Sequence, residues 1–243
     1  MRLMAVSPKN TRSGKQELKE YCVIASNCKV DVIVFPSTFL PYYRNSGAFY
    51  KQADILALPQ SLPFGSDLLV IVGVNEQATD GKRYKSVVTF NAHCVLNVHR
   101  KKNLEEHYLQ KGFSVGHGGD NIVWTDRLTI NTLECFELLF EENWESCGLV
   151  TGSVGFGMKA TTQNYACNYF EQWLDIVRMY CLKYNCPALI ACNGQHEDFM
   201  TVAIDNNGKT VGMARRHGFF IIDMNIHNAV EIELNPFHQG DPK

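Results

Sequence analysis

Cys135 is the residue of this sequence that is best placed to act as a nucleophile. Residues 128–133 are predicted to form a strand that leads into the segment 134–140, Glu-Cys-Phe-Glu-Leu-Leu-Phe, where the apolar spacing changes towards that of a helix. At such an elbow, the backbone N–H groups and the positive potential of the following helix predict a stabilised thiolate. The alternative is a buried structural cysteine, which is the common role for any one of the nine cysteines.

Two further segments place polar residues directly after predicted strands. The basic cluster 99–104, His-Arg-Lys-Lys-Asn-Leu, follows the strand 94–98, and Ser37 closely follows the strand 31–35. Sites in layered α/β proteins gather at such strand ends. Each segment also has an ordinary interpretation, because a charge run is often a solvated strand end and a serine after a proline is often a turn residue.

The elements that would position these segments alternate between strands and amphipathic helices. A strand at 3–6, a helix at 14–29 and the strand 31–35 form a leading β-α-β unit, and a longer helix is predicted over 163–184. Further strands are predicted at 68–74, 86–90, 94–98, 128–133, 148–151, 188–192, 200–204 and 219–224. Since no repeat or linker divides the chain, we expect one layered α/β domain over residues 1–243, with helices outside and sheet inside.

Taken in order, the three polar segments resemble the nitrilase superfamily of carbon-nitrogen hydrolases. In that family, strands ending in Phe-Pro-Glu and in Tyr-Arg-Lys-x-His-Leu, and an elbow with Cys-Tyr/Phe-Glu/Asp, place a glutamate, a lysine and a cysteine around one pocket. The corresponding stretches here are Phe-Pro-Ser at 35–37, the basic cluster 99–104 and Cys-Phe-Glu at 135–137. The resemblance spans residues 3–224 and implies a four-layer α-β-β-α sandwich.

The resemblance also implies a role for each matching residue. Cys135 is similar to the nucleophile, Lys101 to the ammonium that stabilises the tetrahedral intermediate, and the backbone N–H of Phe136 to the second oxyanion donor. Glu105 falls where many members have a further glutamate that orients the site, and it would replace the missing base if it reaches the thiol. An exposed loop acid beside Glu106 is the alternative. The mechanism that this resemblance implies needs no metal and no organic cofactor.

The departure from the family is at position 37, where serine replaces the glutamate base. Whether natural or introduced, this serine cannot take the thiol proton or activate water at neutral pH, and a positioned base contributes about 10²–10⁴-fold. We therefore expect hydrolysis of a small non-peptide amide through a thioester on Cys135, with activity impaired or absent. The alternative is an inactive relative that serves as a small-molecule-binding or protein-interaction module.

Composition and charge exclude several other classes of protein. With 23 Lys+Arg against 25 Asp+Glu and a net charge of −2, the chain has no polyanion-binding character, and we expect no nucleic-acid partner. No apolar run of about 18 residues and no secretory signal occur, so neither a membrane nor export is predicted. The cysteines are scattered, without a Cys-x-x-Cys pair, which argues against zinc and predicts a reducing, cytoplasmic location.

The partners that we expect are a small amide and a second copy of the chain. Members of the family commonly pair through helices, which implies a homodimer or a larger homo-oligomer. The longer helix carries Tyr165, Tyr169 and Tyr180, and we expect these rings to be exposed and available for such pairing.

Overall fold

Two mixed β-sheets form the framework of the protein. The computed structural model describes residues 1–8, 14–40, 48–63, 66–117, 121–155, 163–193, 200–215 and 218–224, with side chains 163–169 and 215 left out. The strands are β1 (Arg2–Ser7), β2 (Val32–Val34), β3 (Tyr50–Lys51), β4 (Leu69–Gln77), β5 (Arg83–Phe90), β6 (Val95–Arg100), β7 (Ile122–Trp124), β8 (Thr129–Glu134), β9 (Leu149–Val154), β10 (Ala188–Cys192), β11 (Met200–Ile204), β12 (Thr210–Arg215) and β13 (Gly218–Asp223).

Helices follow or precede these strands on the outside of the sheets and in the connections. The α-helices are α1 (Gly14–Asn27), α2 (Gln52–Leu56), α3 (Glu106–Gln110) and α4 (Gln163–Tyr184). Short 3₁₀-helices occupy Leu58–Ser61, Cys135–Leu139 and Glu141–Asn143. No helix in the described ranges combines the length and the apolar character needed to cross a bilayer.

The strand order places the carboxyl-terminal ends of several parallel strands at one edge of each sheet. The first sheet runs β13-β1-β2-β4-β5-β6, with β3 on β4, and the second runs β12-β11-β10-β9-β8-β7. In the first sheet β2 and β4 are parallel, and β6 has the same direction because β5 is antiparallel to both of its neighbours. In the second sheet β8, β9 and β10 are parallel. The segments after β2, β6 and β8 therefore start at strand ends where sites form in such folds.

The alternation of side chains along β1 shows how the layers are built. Met4 and Val6 point to the cluster that includes Leu18 of α1, whereas Leu3 and Ala5 point to the second sheet. On the far face of the second sheet, Trp173 and other residues of α4 form the outer cluster. The order helix, sheet, sheet, helix confirms the predicted α-β-β-α sandwich.

Most predicted elements are present, with three differences. The spacing after Cys135 predicted a helix, and the structure has a 3₁₀-helix of five residues there. The elements β3, β7, β12, α2 and α3 were not predicted, and four of them have five residues or fewer. The prediction that Tyr180 is exposed is wrong, because the side chain is only 7% exposed and packs on Trp144. Side chains of Tyr165 and Tyr169 lie outside the described residues.

Candidate active site

The ends of three strands meet at one buried cluster of polar side chains. Ser37 lies after β2, Lys101 follows β6 directly, and Glu134 is the last residue of β8. The Ser37 hydroxyl donates a hydrogen bond to Oε1 of Glu134, and the ammonium nitrogen of Lys101 lies 2.8 Å from Oε2 of the same carboxylate. Glu134, at the end of a strand of the second sheet, therefore contacts two residues that follow strands of the first sheet.

Lys101 lies between two carboxylates and is almost completely buried. Its Nζ is 2.8 Å from Oε2 of Glu105 and 2.8 Å from Oε2 of Glu134. Burial alone would lower the pKa of Lys101, but the charges of Glu134, Cys135 and Glu105 outweigh it and raise that pKa. Lys101 is therefore a permanent ammonium at neutral pH, and Glu105 belongs to the cluster rather than to an exposed loop.

Lys85 is a second buried cation beside this cluster, and sequence analysis missed it. Its Nζ lies 4.6 Å from the ring centroid of Tyr108, and its charge interacts with Glu134 and Lys101. Burial is the main reason that the pKa of Lys85 falls to about 8. The signal in the sequence was a lysine just before the apolar run 86–90, at a point where strand alternation directs its side chain inwards.

Cys135 occupies a strained backbone conformation at the end of β8. Its φ angle is +52°, in the left-handed region that a residue with a Cβ atom rarely adopts. The Glu137 carboxylate supports this elbow, because it accepts hydrogen bonds from the backbone N–H groups of Glu134 at 2.9 Å and Lys102 at 2.7 Å. It also contacts Nε2 of His99 at 2.7 Å. The elbow is thus fixed to the loop that carries Lys101.

The thiol of Cys135 is buried and protonated. The residue is 6% exposed, and Sγ lies 3.7 Å from the carbonyl oxygen of Gly155, to which it donates. Burial raises the pKa of Cys135 to about 11, although Lys101 acts to lower it, while Glu134 raises it. The expectation that the elbow favours a thiolate is therefore wrong, and the cause is desolvation. The thiol is therefore protonated at neutral pH, and attack by sulfur requires a proton acceptor.

Phe136 places a backbone N–H beside the thiol. Its side chain packs, partly buried, against the outer cluster of the second sheet. The backbone N–H belongs to the first turn of the 3₁₀-helix, where such groups have no partner within the helix. This N–H and the Lys101 ammonium are the hydrogen-bond donors through which the cluster could bind an oxyanion.

Glu134 is the residue of this cluster that sequence analysis failed to recognise. A regular strand directs successive side chains to opposite faces, so strand alternation gives no reason to place residues 134 and 135 at one site. The available signal was an acidic residue directly after the predicted strand 128–133 and immediately before the candidate nucleophile. The structure thus brings Ser37, Lys101 and Glu105 to this carboxylate, with Cys135 next to it.

Comparisons with known proteins agree with this architecture. The model of the carbon-nitrogen hydrolase family matches residues 5–229. No curated protein matches the sequence significantly. Among solved structures, the chain is similar to a carbon-nitrogen hydrolase from Helicobacter pylori, with 13% identity, 91% of this chain and 87% of that chain covered, and a TM-score of 0.73.

Two other solved structures show the same fold in different settings. One is a mutant of the amidase from Nesterenkonia sp. AN1 with acrylamide added to its active-site cysteine (13% identity, 93% of both chains covered, TM-score 0.72). The other is glutamine-dependent NAD⁺ synthetase from Acinetobacter baumannii (14% identity, TM-score 0.73). The match covers 90% of this chain and 44% of the synthetase chain. At these identities the likeness is one of fold.

Proposed function

We propose that this chain, which belongs to the carbon-nitrogen hydrolase family, hydrolyses a small non-peptide amide through a thioester on Cys135. The observation that supports this most strongly is that the buried Lys101 ammonium contacts Glu134, the residue next to Cys135, at 2.8 Å, where its charge acts on the Cys135 thiol. Lys101 and Cys135 come from different sheets. Their placement at one elbow gives a nucleophile and a fixed positive charge for the oxyanion that its attack creates.

The proposed reaction has two halves. Sγ of Cys135 attacks the amide carbon after losing its proton, and the negative charge that develops on oxygen is stabilised by Lys101 and the backbone N–H of Phe136. The carbon–nitrogen bond then breaks, the amine leaves with one proton, and a thioester remains. Water attacks the thioester and releases the acid together with the thiol.

Two observations favour a small amide as the substrate. The thiol is only 6% exposed, which leaves little access for a large ligand. The amidase from Nesterenkonia sp. AN1 shares the fold, and in a mutant of that protein acrylamide adds to the active-site cysteine. Acrylamide is a compact primary amide that reached this cysteine by Michael addition, so the neighbour supports access of a small amide to the corresponding thiol.

A second candidate function is that of a binding module without catalysis. Ser37 in place of the family's base and the raised pKa of the Cys135 thiol, which reflects burial, both favour it. Such a protein would keep the pocket for a small acid or amide, or a surface for a protein partner, and would form no covalent intermediate.

Intact-protein mass spectrometry separates the two candidates. The protein would be incubated with acetamide, propionamide and acrylamide, with release of ammonia measured in parallel, and the Cys135→Ala variant would serve as the control. Ammonia release that depends on Cys135, or an acyl mass increase at Cys135 from acetamide or propionamide, is the expected result, whereas addition of intact acrylamide shows only that the thiol is reactive. Amide binding without ammonia release and without any adduct would favour the binding module.

Self-association is a further part of the proposal. On α4 the side chains of Met179 and Leu182 are 52% and 62% exposed, so this helix offers apolar surface although Tyr180 does not. We expect a homodimer or a larger homo-oligomer by light scattering. A monomer at all concentrations would remove this part without affecting the proposed chemistry.

A further inference from the structure

We propose that Glu134, the residue immediately before the nucleophile, is the general base of this site and takes the place of the glutamate that position 37 lacks. The inference rests on the proposed thioester chemistry, and it assigns a catalytic role to a residue outside the family pattern given above. It also changes the expectation for activity, because the site then has a complete set of base, ammonium and thiol.

The Glu134 carboxylate lies directly beside position 37. Oε1 of Glu134 accepts the hydrogen bond of the Ser37 hydroxyl, so the carboxylate group is in direct contact with position 37. Gly155 closes the other side, since a Cβ atom added there would lie 3.1 Å from Cβ of Ser37, and its carbonyl oxygen accepts from Sγ of Cys135. Ser37, the Glu134 carboxylate and the Cys135 thiol therefore surround one small space.

The backbone geometry at the end of β8 permits two neighbouring residues to share a site. Glu134 has ordinary extended angles, with φ −110° and ψ 110°. The positive φ of Cys135 interrupts the strand alternation at this point. As a result, the Glu134 carboxylate and the Cys135 thiol both act on the ammonium of Lys101, and the charge of Glu134 acts on the thiol itself.

Glu105 and Glu137 are the other carboxylates close to this elbow, and each is less suitable as the base. The Glu105 side chain is 20% exposed against 3% for Glu134, and it follows Lys101 on the same loop, which suits a role in positioning the ammonium. Glu137 has both oxygen atoms engaged by His99 and backbone N–H groups. Glu134 is the one of the three that contacts both Ser37 and Lys101.

The proposed proton transfers balance over the cycle. The Glu134 carboxylate takes the proton of Sγ as sulfur attacks, and it gives that proton to the amine nitrogen as the carbon–nitrogen bond breaks. It next takes a proton from water as the oxygen attacks the thioester, and returns it to sulfur as the acid leaves. Amide and water are consumed, acid and amine are produced, and the site ends in its starting state.

The decisive experiment is Glu134→Gln in the full chain, with Glu106→Gln as the matched control on the exposed surface of α3. For the amide that the wild type hydrolyses, Glu134→Gln should lower kcat/KM by about 10²–10⁴-fold, which is the range for a positioned base. Glu106→Gln should leave kcat/KM unchanged. A kcat/KM for Glu134→Gln within about threefold of the wild type would overturn the proposal, because loss of a base cannot be so mild.

Alkylation of Cys135 by iodoacetamide tests the proton transfer without any amide substrate. The charged and titratable groups that interact with the thiol are Lys101, Glu134, Glu105, Lys85, Tyr108 and Cys192. If Glu134 accepts the thiol proton, wild-type alkylation should be nearly independent of pH between about 6 and 8, because the proton then stays within the site. In Glu134→Gln the rate should rise about tenfold per pH unit, as for a thiol that loses its proton to solvent.

The same measurement excludes a purely electrostatic role. The charge of Glu134 raises the pKa of Cys135, so if that were its whole effect, Glu134→Gln would alkylate faster than the wild type with the same pH slope. That outcome would overturn the proposal. If amides are not hydrolysed but the two pH slopes differ as expected, the proposed function fails while the proton transfer to Glu134 stands.

A double variant protects the test against a simple folding defect. Glu134→Ser combined with Ser37→Glu moves the carboxylate to the position that it has in the family. We expect kcat/KM to rise at least about tenfold over Glu134→Ser alone. Equal rates for the single and double variants, with both proteins folded by circular dichroism, would show that a carboxylate in this space does not act as the base.

Discussion

Two buried glutamates on the same elbow, Glu134 and Glu137, have opposite surroundings. Both oxygen atoms of Glu137 are held at 2.7–2.9 Å by the His99 ring and two backbone N–H groups. Glu134 instead contacts two side chains, the Ser37 hydroxyl and the Lys101 ammonium. Backbone donors are fixed by the fold, whereas a hydroxyl can rotate and turn its proton elsewhere. The first arrangement supports structure, and the second leaves a carboxylate able to exchange a proton.

The lowered pKa of Glu137 agrees with its structural role. Burial alone would raise the pKa of Glu137, but the hydrogen bond and charge of His99 and the backbone N–H groups lower it below the ordinary value. Glu137 therefore remains ionised at neutral pH and takes no part in proton transfer. Glu134 and Glu137 are both buried, with exposures of 2% and 0%. They therefore differ mainly in the groups that contact the carboxylate.

The largest effect on stability should come from the charge that Glu134 shares with Lys101. Lys101→Met leaves the buried Glu134 carboxylate without the ammonium at 2.8 Å, and breaking a buried ion pair in this way costs about 3–5 kcal/mol. Chemical denaturation measures the loss. Lys102→Met is the control, because Lys102 contacts Glu137 through its backbone N–H, which the substitution keeps. An unfolding free energy equal to that of the control would mean that the Lys101 ammonium does not stabilise the buried Glu134 carboxylate.

Glu137→Gln should have a smaller effect on stability than Lys101→Met, and it should depend on pH. Hydrogen bonds to a charged group contribute about 1.5–3 kcal/mol to stability. A glutamine at position 137 would keep only some of the hydrogen bonds that the carboxylate accepts. Because the folded pKa of Glu137 is lowered, its contribution is complete above the ordinary value of 4.5 and is lost as pH falls through the folded pKa. Denaturation of the wild type and the variant should therefore differ at pH 7 and converge in acid.

A constant difference between these two proteins down to pH 3 would contradict this account of Glu137. Glu134→Gln supplies the matching comparison at the other glutamate. It should cost less stability than Lys101→Met, because the Lys101 ammonium keeps Glu105 at 2.8 Å as a partner and the glutamine oxygen can still accept from Ser37. Its main effect is expected on the chemistry of Cys135.

The sequence was sufficient to predict the framework and the convergence of strand ends. Strand and helix periodicity gave β10, β11 and α4 with their observed limits, and the positions of Ser37 and Lys101 after strands were correct. These features depend on local patterns of apolar residues, which a single sequence contains. Roles for Cys135 and Phe136 are predictions that the experiments above test.

The parts that failed depend on tertiary packing and on one unusual backbone angle. The raised pKa of Cys135 results from burial under Gly155 and its neighbours, and burial of an elbow cannot be read from its spacing. The contribution of Glu134 depends on the positive φ of the next residue, which no residue type here signals, since cysteine rarely adopts it. Lys85 was missed because it lies at the start of an apolar run.

The smallest predicted effect concerns the link between the two glutamates. Oδ1 of Asn103 accepts a hydrogen bond of 2.8 Å from Asn143, whose side chain also donates to the carbonyl oxygen of Glu137. Asn103→Ala removes one neutral hydrogen bond and should cost about 0.5–1.5 kcal/mol in the free energy of unfolding. If Glu137 holds the elbow largely by itself, the alkylation rate of Cys135 should stay close to that of the wild type. A large fall in that rate at full folding would show that the Lys101 loop needs Asn103 to reach Glu134, and the two glutamates would then work as one unit.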